Sequence, residues 1–306
     1  YTKRRAMGRK IIFLDIDGTL TEPGKNTPPQ SALQAIRQAR ERGHLVFLCS
    51  GRNYGMLSPL LVYPFDGVIA SSGGYILCQD QVIYDSPVSQ EVQRQAEDVL
   101  RKNGVFYTIE CREGSYTDEG FKEFLREHAV EGANSELLRW REQLEKSLNI
   151  LPLKAYEGQP VYKIVVMSPS MEQLAEPIRV LEKEFSICIQ EPDRYGFVNG
   201  ELVSREFDKG RGVERVCSYL GIPVENTIAF GDSMNDLEMI ETAGFSVCMA
   251  NGSRKLKELA DDICPPVTED GIYWAFVRYG LIDPKADTGM MEKGKVEKTA
   301  ASAGVS

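Results

Sequence analysis

Histidine is nearly missing from this 306-residue chain, which has only His44 and His128. Each sits in a charged context (ERGH and REHAV), where a surface or helix-end position is the ordinary expectation. Two histidines make a His-rich zinc site or phosphohistidine chemistry unexpected. Basic charge is also in short supply, with 36 Lys and Arg against 45 Asp and Glu and a net charge of -9. A diffuse basic surface for nucleic acid is therefore excluded, because such affinity comes from neutralising phosphates with Lys and Arg. An anionic substrate would need a locally inverted field. Long apolar runs are absent as well: stretches such as Leu57–Phe65 are too short to span a bilayer. The basic opening Tyr1–Lys10 lacks the apolar region and cleavage site of a signal peptide. The expectation is a cytoplasmic protein without membrane or nucleic-acid partners. The seven cysteines are an odd number with no CxxC pair. Several lie inside apolar runs such as VFLC and SVCM, which reads as reduced packing residues.

What is present is a regular alternation of short apolar runs and amphipathic segments. IIFLDI, SALQAIRQARERG, HLVFLCS and FDGVIASSGG give strand, helix, strand and strand, the pattern of a parallel sheet covered on both faces. Tyr75–Tyr84 reads as a hairpin around Gln79–Gln81. From about 85 to 204 the texture changes. A helix at Gln90–Lys102, the strand VFYTIEC, two charged helices at Glu119–His128 and Glu136–Ser147, YKIVVM, a helix at Met171–Glu184, FSICIQ and YGFVNGELVS suggest an antiparallel sheet with helices on one face. After residue 204 the first texture returns in GRGVERVCSYLG, TIAF, NDLEMIETAG, FSVCMA and SRKLKELADD. The fold expected is α/β, a doubly wound and mostly parallel core interrupted by an inserted α+β domain. The core is expected at 8–84 and 205–282, the insertion at 85–204, and a disordered tail at 283–306, where periodicity is lost.

Four strand ends carry polar groups. Asp15 follows IIFL at the carboxyl end of the first strand, where open α/β sheets bind ligands. Asp17 lies one residue further, in a turn made by Gly18 and Thr19, and two such carboxylates repel unless a cation or a shared proton relieves them. Alone, this DxD is equally well a turn whose carboxylates cap backbone groups. Ser50 closes VFLC and precedes Gly51 and Arg52; a hydroxyl and exposed amides at such a turn can hold a phosphate oxygen, although an N-cap serine is the commoner use. Lys209 precedes the helix Gly210–Tyr219, mildly misplaced at its positive end unless an anion is near. GDSMND, Gly231–Asp236, follows TIAF, and its oxygen donors Asp232, Asn235 and Asp236 suit a hard cation such as Mg²⁺.

Together these signals resemble the haloacid dehalogenase superfamily of phosphatases. DIDGT, CSGR, Lys209-Gly210 and GDSMND stand in the order of its four motifs, and the resemblance covers roughly Arg9 to Leu281. The long insertion and the form Gly231–Met239 resemble the Cof-type branch with a C2B cap. One departure is Ser71-Ser72-Gly73-Gly74, where many such relatives carry Asn-Gly-Ala. The resemblance implies a Mg²⁺-dependent phosphomonoesterase acting on a small phosphorylated metabolite, such as a sugar phosphate, as monomer or homodimer. It implies Asp15 as nucleophile and Asp17 as acid–base group oriented by Thr19. It further implies metal ligation by Asp15, the Asp17 carbonyl, Asp232 and Asp236. Phosphate contacts would come from Thr19, Ser50, Gly51, Arg52, Lys209 and Asn235, with Lys209 catalytic as well in neutralising the nucleophile's surroundings and the transferring group. A phosphomutase or phosphotransferase on the same scaffold is the alternative, and a non-catalytic phosphate-binding regulator a weaker one. A receiver-like phosphotransfer switch is disfavoured, because receivers are far shorter and place the acidic pair apart from the accepting aspartate.

Overall fold

The apolar runs form strands because they are buried on both faces. The computed structural model describes residues 8–121, 123, 150–190 and 197–284. The chain begins with β1 (Ile11–Leu14), helix α1 (Gln30–Glu41), β2 (Leu45–Cys49), β3 (Gly67–Ala70), β4 (Tyr75–Cys78) and β5 (Gln81–Asp85). It continues through α2 (Gln90–Lys102), β6 (Phe106–Cys111), β7 (Ser115–Thr117), β8 (Ile150–Pro152), β9 (Val161–Ser168), α3 (Met171–Leu181), β10 (Phe185–Ile189) and β11 (Val198–Ser204). The last part holds α4 (Lys209–Leu220), β12 (Thr227–Gly231), α5 (Leu237–Thr242), β13 (Ser246–Met249), α6 (Arg254–Leu259), β14 (Asp262–Cys264) and α7 (Gly271–Arg278).

The first sheet has eight strands in the order β14-β13-β12-β1-β2-β3-β4-β5. Its first six strands pair in parallel, and β4 and β5 are added antiparallel. Alternate residues of β1 enter two separate cores: Ile12 and Leu14 pack with α1 and α7, Ile11 and Phe13 with α4 and α5. Each fully buried side chain of this kind contributes roughly 1.5–3 kcal/mol. Four in succession fix the strand, and with it the position of whatever follows Leu14. The expected α/β core, wound on both faces, is thus the observed one.

The second sheet has six strands in the order β10-β11-β9-β6-β7-β8, antiparallel except for the β7–β8 pair. One face is apolar and covered by α2 and α3, through residues such as Tyr107, Ile109, Ile164, Val166 and Leu202. The intervening residues Thr108, Glu110, Lys163 and Glu201 belong to the opposite face, as the period of two requires. A bulge shifts the register. Glu110 pairs with Lys163 and Cys111 with Val161, leaving Tyr162 as an extra residue between them. Tyr162 turns onto the first sheet's core beside Tyr75, with ring centroids 6.4 Å apart, and its hydroxyl donates to Asp85 Oδ1 at 2.6 Å.

Most of the two charged helices expected at Glu119–His128 and Glu136–Ser147, and the tail beyond Pro284, lie outside the described residues. Two expectations need correction. His44 is buried, its Nδ1 accepting the Lys10 amide at 3.1 Å, because the chain folds back directly after α1 to enter β2. Cys188 is exposed while the other six cysteines are buried, since it lies on the outer strand β10.

Candidate active site

In the first sheet the chain order reverses at β1: β2 lies on one side and β12 on the other. Such a point opens a crevice at the carboxyl ends of the strands. Asp15 follows β1 here, its amide continuing the ladder to Phe230 O at 3.0 Å. Asp232 follows β12 beside it. The turn between Asp15 and Thr21 is closed by the Gly18 amide on Thr21 O at 2.8 Å and the Thr19 amide on Ile16 O at 3.2 Å. Gly18 is required twice over. Its φ is +85°, and a Cβ there would lie 2.2 Å from Asp232 Oδ2. Asp232 can therefore approach the turn only because residue 18 has no side chain.

Lys209 is the first residue of α4, after Asp208 caps the helix through the Arg211 amide. Gly210 lets this end of α4 pack closely on α5, since a Cβ there would meet Glu238 O at 2.5 Å. The buried ammonium of Lys209 donates to Asp15 Oδ1 at 2.7 Å and to Asp236 Oδ1 at 2.5 Å. The helix-end mismatch visible in the sequence is thereby resolved by two carboxylates. Asp236 is fully buried and fully engaged: its Oδ2 accepts the amides of Asp232 at 3.0 Å and Ser233 at 3.2 Å. Its role in the geometry is to hold Lys209 and to shape the GDSMND turn.

Carboxylate oxygens of Asp15, Asp232 and Asp236 lie within 4.8 Å of one another. Burial, then Asp236, raise Asp15 from 3.8 to about 7 against the lowering effect of Lys209. Burial, then Asp15 and Asp236, push Asp232 up to about 9. Burial alone would lower Lys209, but Asp15 and Asp236 outweigh it and keep the ammonium charged. Asp232 Oδ1 is buried and has no hydrogen-bond donor. An orphaned carboxylate oxygen beside a second raised carboxylate, in an all-oxygen set, fits a hard divalent cation. Lys209 alone does not discharge the cluster.

Among the other residues expected at the site, Ser50 is buried after β2, and its Oγ accepts the Arg52 amide at 3.1 Å. Thr19 is buried with its hydroxyl unbonded. Arg52 is almost completely buried and reaches Asp17, not the open side of the turn: Nε donates to Oδ2 at 2.9 Å and Nη2 to Oδ1 at 2.7 Å. Its Nη1 donates to Asn26 at 2.6 Å. Asn235 is exposed, its Oδ1 accepting the Ser233 hydroxyl at 2.7 Å.

Several residues at this place carry no motif. Asn26 braces Arg52, and Asn251 donates to Gly18 O at 2.8 Å from the loop after β13. Ser71 and Ser72 adopt φ of 48° and 56°, a left-handed pair of non-glycine residues directly after β3. The polar face of the second sheet meets the turn after β2: Lys163 bonds Gly51 O at 2.9 Å and Asn53 donates to Ser115 at 3.1 Å. The alternation in FYTIEC and VYKIVV is the one trace of that face in the sequence.

Comparison with known proteins agrees with this arrangement. The sequence model of the haloacid dehalogenase-like hydrolases matches residues 12–276. YkrA of Bacillus subtilis is 29% identical over 283 residues, covering 90% of this chain and all of the relative. The 5-amino-6-(5-phospho-D-ribitylamino)uracil phosphatase YitU of the same organism is 25% identical over 272 residues, 86% of this chain and 94% of the relative. A solved haloacid dehalogenase-like hydrolase from B. subtilis superposes with a TM-score of 0.73 at 24% identity, over 89% of this chain and all of the other.

Proposed function

Because the chain belongs to the haloacid dehalogenase-like hydrolase family, in its Cof-type branch, and is thus a phosphatase of small phosphorylated molecules, we propose a mechanism through an aspartyl phosphate with Mg²⁺ as cofactor. The observation that carries this reading is the cluster of Asp15, Asp232 and Asp236, with Asp15 and Asp236 buried on one lysine and an orphaned buried oxygen on the half-buried Asp232.

Asp15 is the nucleophile. Its carboxylate oxygen forms a bond to phosphorus as the ester P–O bond breaks, which splits one hard displacement into two easier ones. Lys209 holds Asp15 in place and offsets the charge of attack on a dianion. Asp17 gives a proton to the departing alkoxide and then takes one from the water that attacks phosphorus, releasing phosphate and restoring Asp15. Positioned proton transfer of this kind is worth on the order of 10²–10⁴ in rate. Arg52 grips both oxygens of Asp17 and so sets its direction. Ser50 donates its hydroxyl proton to a phosphoryl oxygen. Mg²⁺, held by Asp15, Asp232 and the Asp17 carbonyl with Asp236 behind them, would supply the positive charge that lets anion approach dianion.

Residues 85–204 act as a cap over the core formed by 8–84 and 205–282. Their sheet turns its polar face to the phosphate-binding turn, where it excludes water and meets the leaving group. The ribitylamino compound in YitU's name is a phosphorylated small metabolite, and a sugar or polyol phosphate is the substrate class proposed here. Phosphate release from p-nitrophenyl phosphate tests the reading. Release is expected to require Mg²⁺, and Asp15→Asn to lower kcat on the order of 10³-fold. Metal-independent release by the intact protein, or full activity after Asp15→Asn, contradicts it.

A further inference from the structure

Three consecutive carbonyls of the turn after β2 each accept a hydrogen bond. Ser50 O takes the Ser72 amide at 3.0 Å and Arg52 O the Ser71 amide at 2.8 Å, both from the loop after β3 in the same sheet. The middle carbonyl, Gly51 O, takes Lys163 Nζ at 2.9 Å, from the second sheet. Lys163 has no exposed surface, and its ammonium also meets Glu201 Oε1 at 2.8 Å and Glu110 Oε2 at 3.3 Å. An ammonium has three hydrogens to give. Gly51 O and Glu201 take two of them and Glu110 lies within ion-pair distance, so the ammonium is directed at Gly51 and not at an incoming ester.

The peptide unit joining Gly51 to Arg52 is planar, so fixing its oxygen also fixes the direction of its N–H. That N–H is the Arg52 amide, which donates to Ser50 Oγ. A serine hydroxyl that accepts there keeps its own proton to donate elsewhere. The Arg52 side chain leaves the same peptide to hold Asp17. One planar peptide thus carries Lys163 on its oxygen, Ser50 on its N–H and, through the Arg52 side chain, the group that holds Asp17.

We propose that Lys163 is a positioning residue: seated on Gly51 O, it sets the Gly51–Arg52 peptide, so that seating of the second sheet aligns Ser50 and Asp17 for phosphoryl transfer. The proposal rests on the phosphatase reading above. Glu110 and Glu201 serve it by aiming the ammonium. The regular β6–β9 pairing serves it by placing Lys163 directly opposite Glu110, just before the bulge at Tyr162.

Removing Lys163 alone would strand the buried carboxylate of Glu110 beside the partly exposed Glu201, so the variant tested is the double substitution Lys163→Met with Glu110→Gln, and Glu201→Gln is measured beside it. Steady-state kinetics with Mg²⁺ are run on p-nitrophenyl phosphate and on ribose 5-phosphate, with a thermal melt of each protein. The double variant is expected to lose at least tenfold in kcat by the same factor on both esters, with KM changed less than threefold. Glu201→Gln is expected to show the same pattern to a smaller degree. Unchanged kcat in a double variant that melts cooperatively overturns the proposal. So does a rise in KM with kcat retained, or a loss confined to one ester, each of which would make Lys163 a substrate contact. If the double variant does not melt cooperatively, Glu201→Gln decides: lowered kcat at constant KM supports the proposal and unchanged kcat overturns it. No metal-dependent release by the unaltered protein is a different failure, of the phosphatase reading itself, and removes this inference with it.

Discussion

At Lys209 one buried cation stands between Asp15 and Asp236. Breaking a buried pair by deleting one partner typically costs about 3–5 kcal/mol, because the other charge is left uncompensated. Lys209→Met is therefore expected to lower stability by that order in urea unfolding at pH 7.5 with chelator present. The deficit is expected to shrink at pH 5.5, where Asp15, already raised to about 7, takes up a proton. An unaltered midpoint at pH 7.5 would contradict the account. Arg52 is a different case, since its motif position suggests phosphate binding whereas its guanidinium lies on Asp17. A lysine cannot reproduce the two-pronged contact. Arg52→Lys is expected to lower kcat by about 10²-fold, within the range of proton-transfer catalysis, with KM changed less than threefold. A rise in KM at constant kcat would return Arg52 to the phosphate.

Elements differ in how far the sequence reveals them. β1 and β12 are legible because a strand buried on both faces is a continuous apolar run, and the polar residue ending it, Asp15 or Asp232, lies at the ligand-binding edge. Lys209 is legible through its misplacement at the start of α4. The Arg52–Asp17 pair is not, because its members are 35 positions apart and only the parallel pairing of β1 with β2 brings them together. Lys163 is only half legible. Alternation in VYKIVVM puts it on the face opposite Ile164 and Val166, but its contact with Gly51 lies 112 positions away in the chain, and the bulge that turns Tyr162 toward the first sheet depends on pairing with β6. Asn235 sits inside a motif and is exposed, its Oδ1 accepting the Ser233 hydroxyl.

The loop after β3 makes its own prediction at this scale. Ser71 combines a left-handed backbone with a buried hydroxyl that lacks a partner. Non-glycine residues held in that region cost about 1–3 kcal/mol. Ser71→Gly relieves both features and is expected to raise the melting temperature by about 2–4 °C, the shift that 1 kcal/mol produces in a chain of roughly this size. A lower melting temperature would mean that the hydroxyl contributes more than the strain removes.

On the scale of the whole molecule, the site couples stability to pH and to metal. Asp15 and Asp232 have folded-state values raised to about 7 and about 9, above their ordinary 3.8. Carboxyls raised in this way bind protons more tightly in the native state than in the unfolded chain. Native stability without a cation therefore falls as pH rises from about 4 toward 9. A divalent ion binds the ionised form and should oppose that fall, so the rise in melting temperature on adding Mg²⁺ is expected to grow from pH 5.5 to 8.5. At a hundredfold excess over its dissociation constant the ion contributes about 2.7 kcal/mol. A Mg²⁺ effect that is constant or shrinks with pH would contradict the cluster's assignment to metal. No described helix is long and apolar enough to cross a membrane.

The central claim is that Asp15 attacks phosphorus. It is tested most directly by mixing the protein with excess p-nitrophenyl phosphate and Mg²⁺, quenching in acid during turnover, and identifying the phosphorylated peptide by mass spectrometry. The account predicts one phosphoryl group on the peptide containing Asp15, on that carboxylate, with none on Asp17, and no adduct in Asp15→Asn. Phosphate release without any adduct at Asp15, or an adduct on another residue, would contradict it.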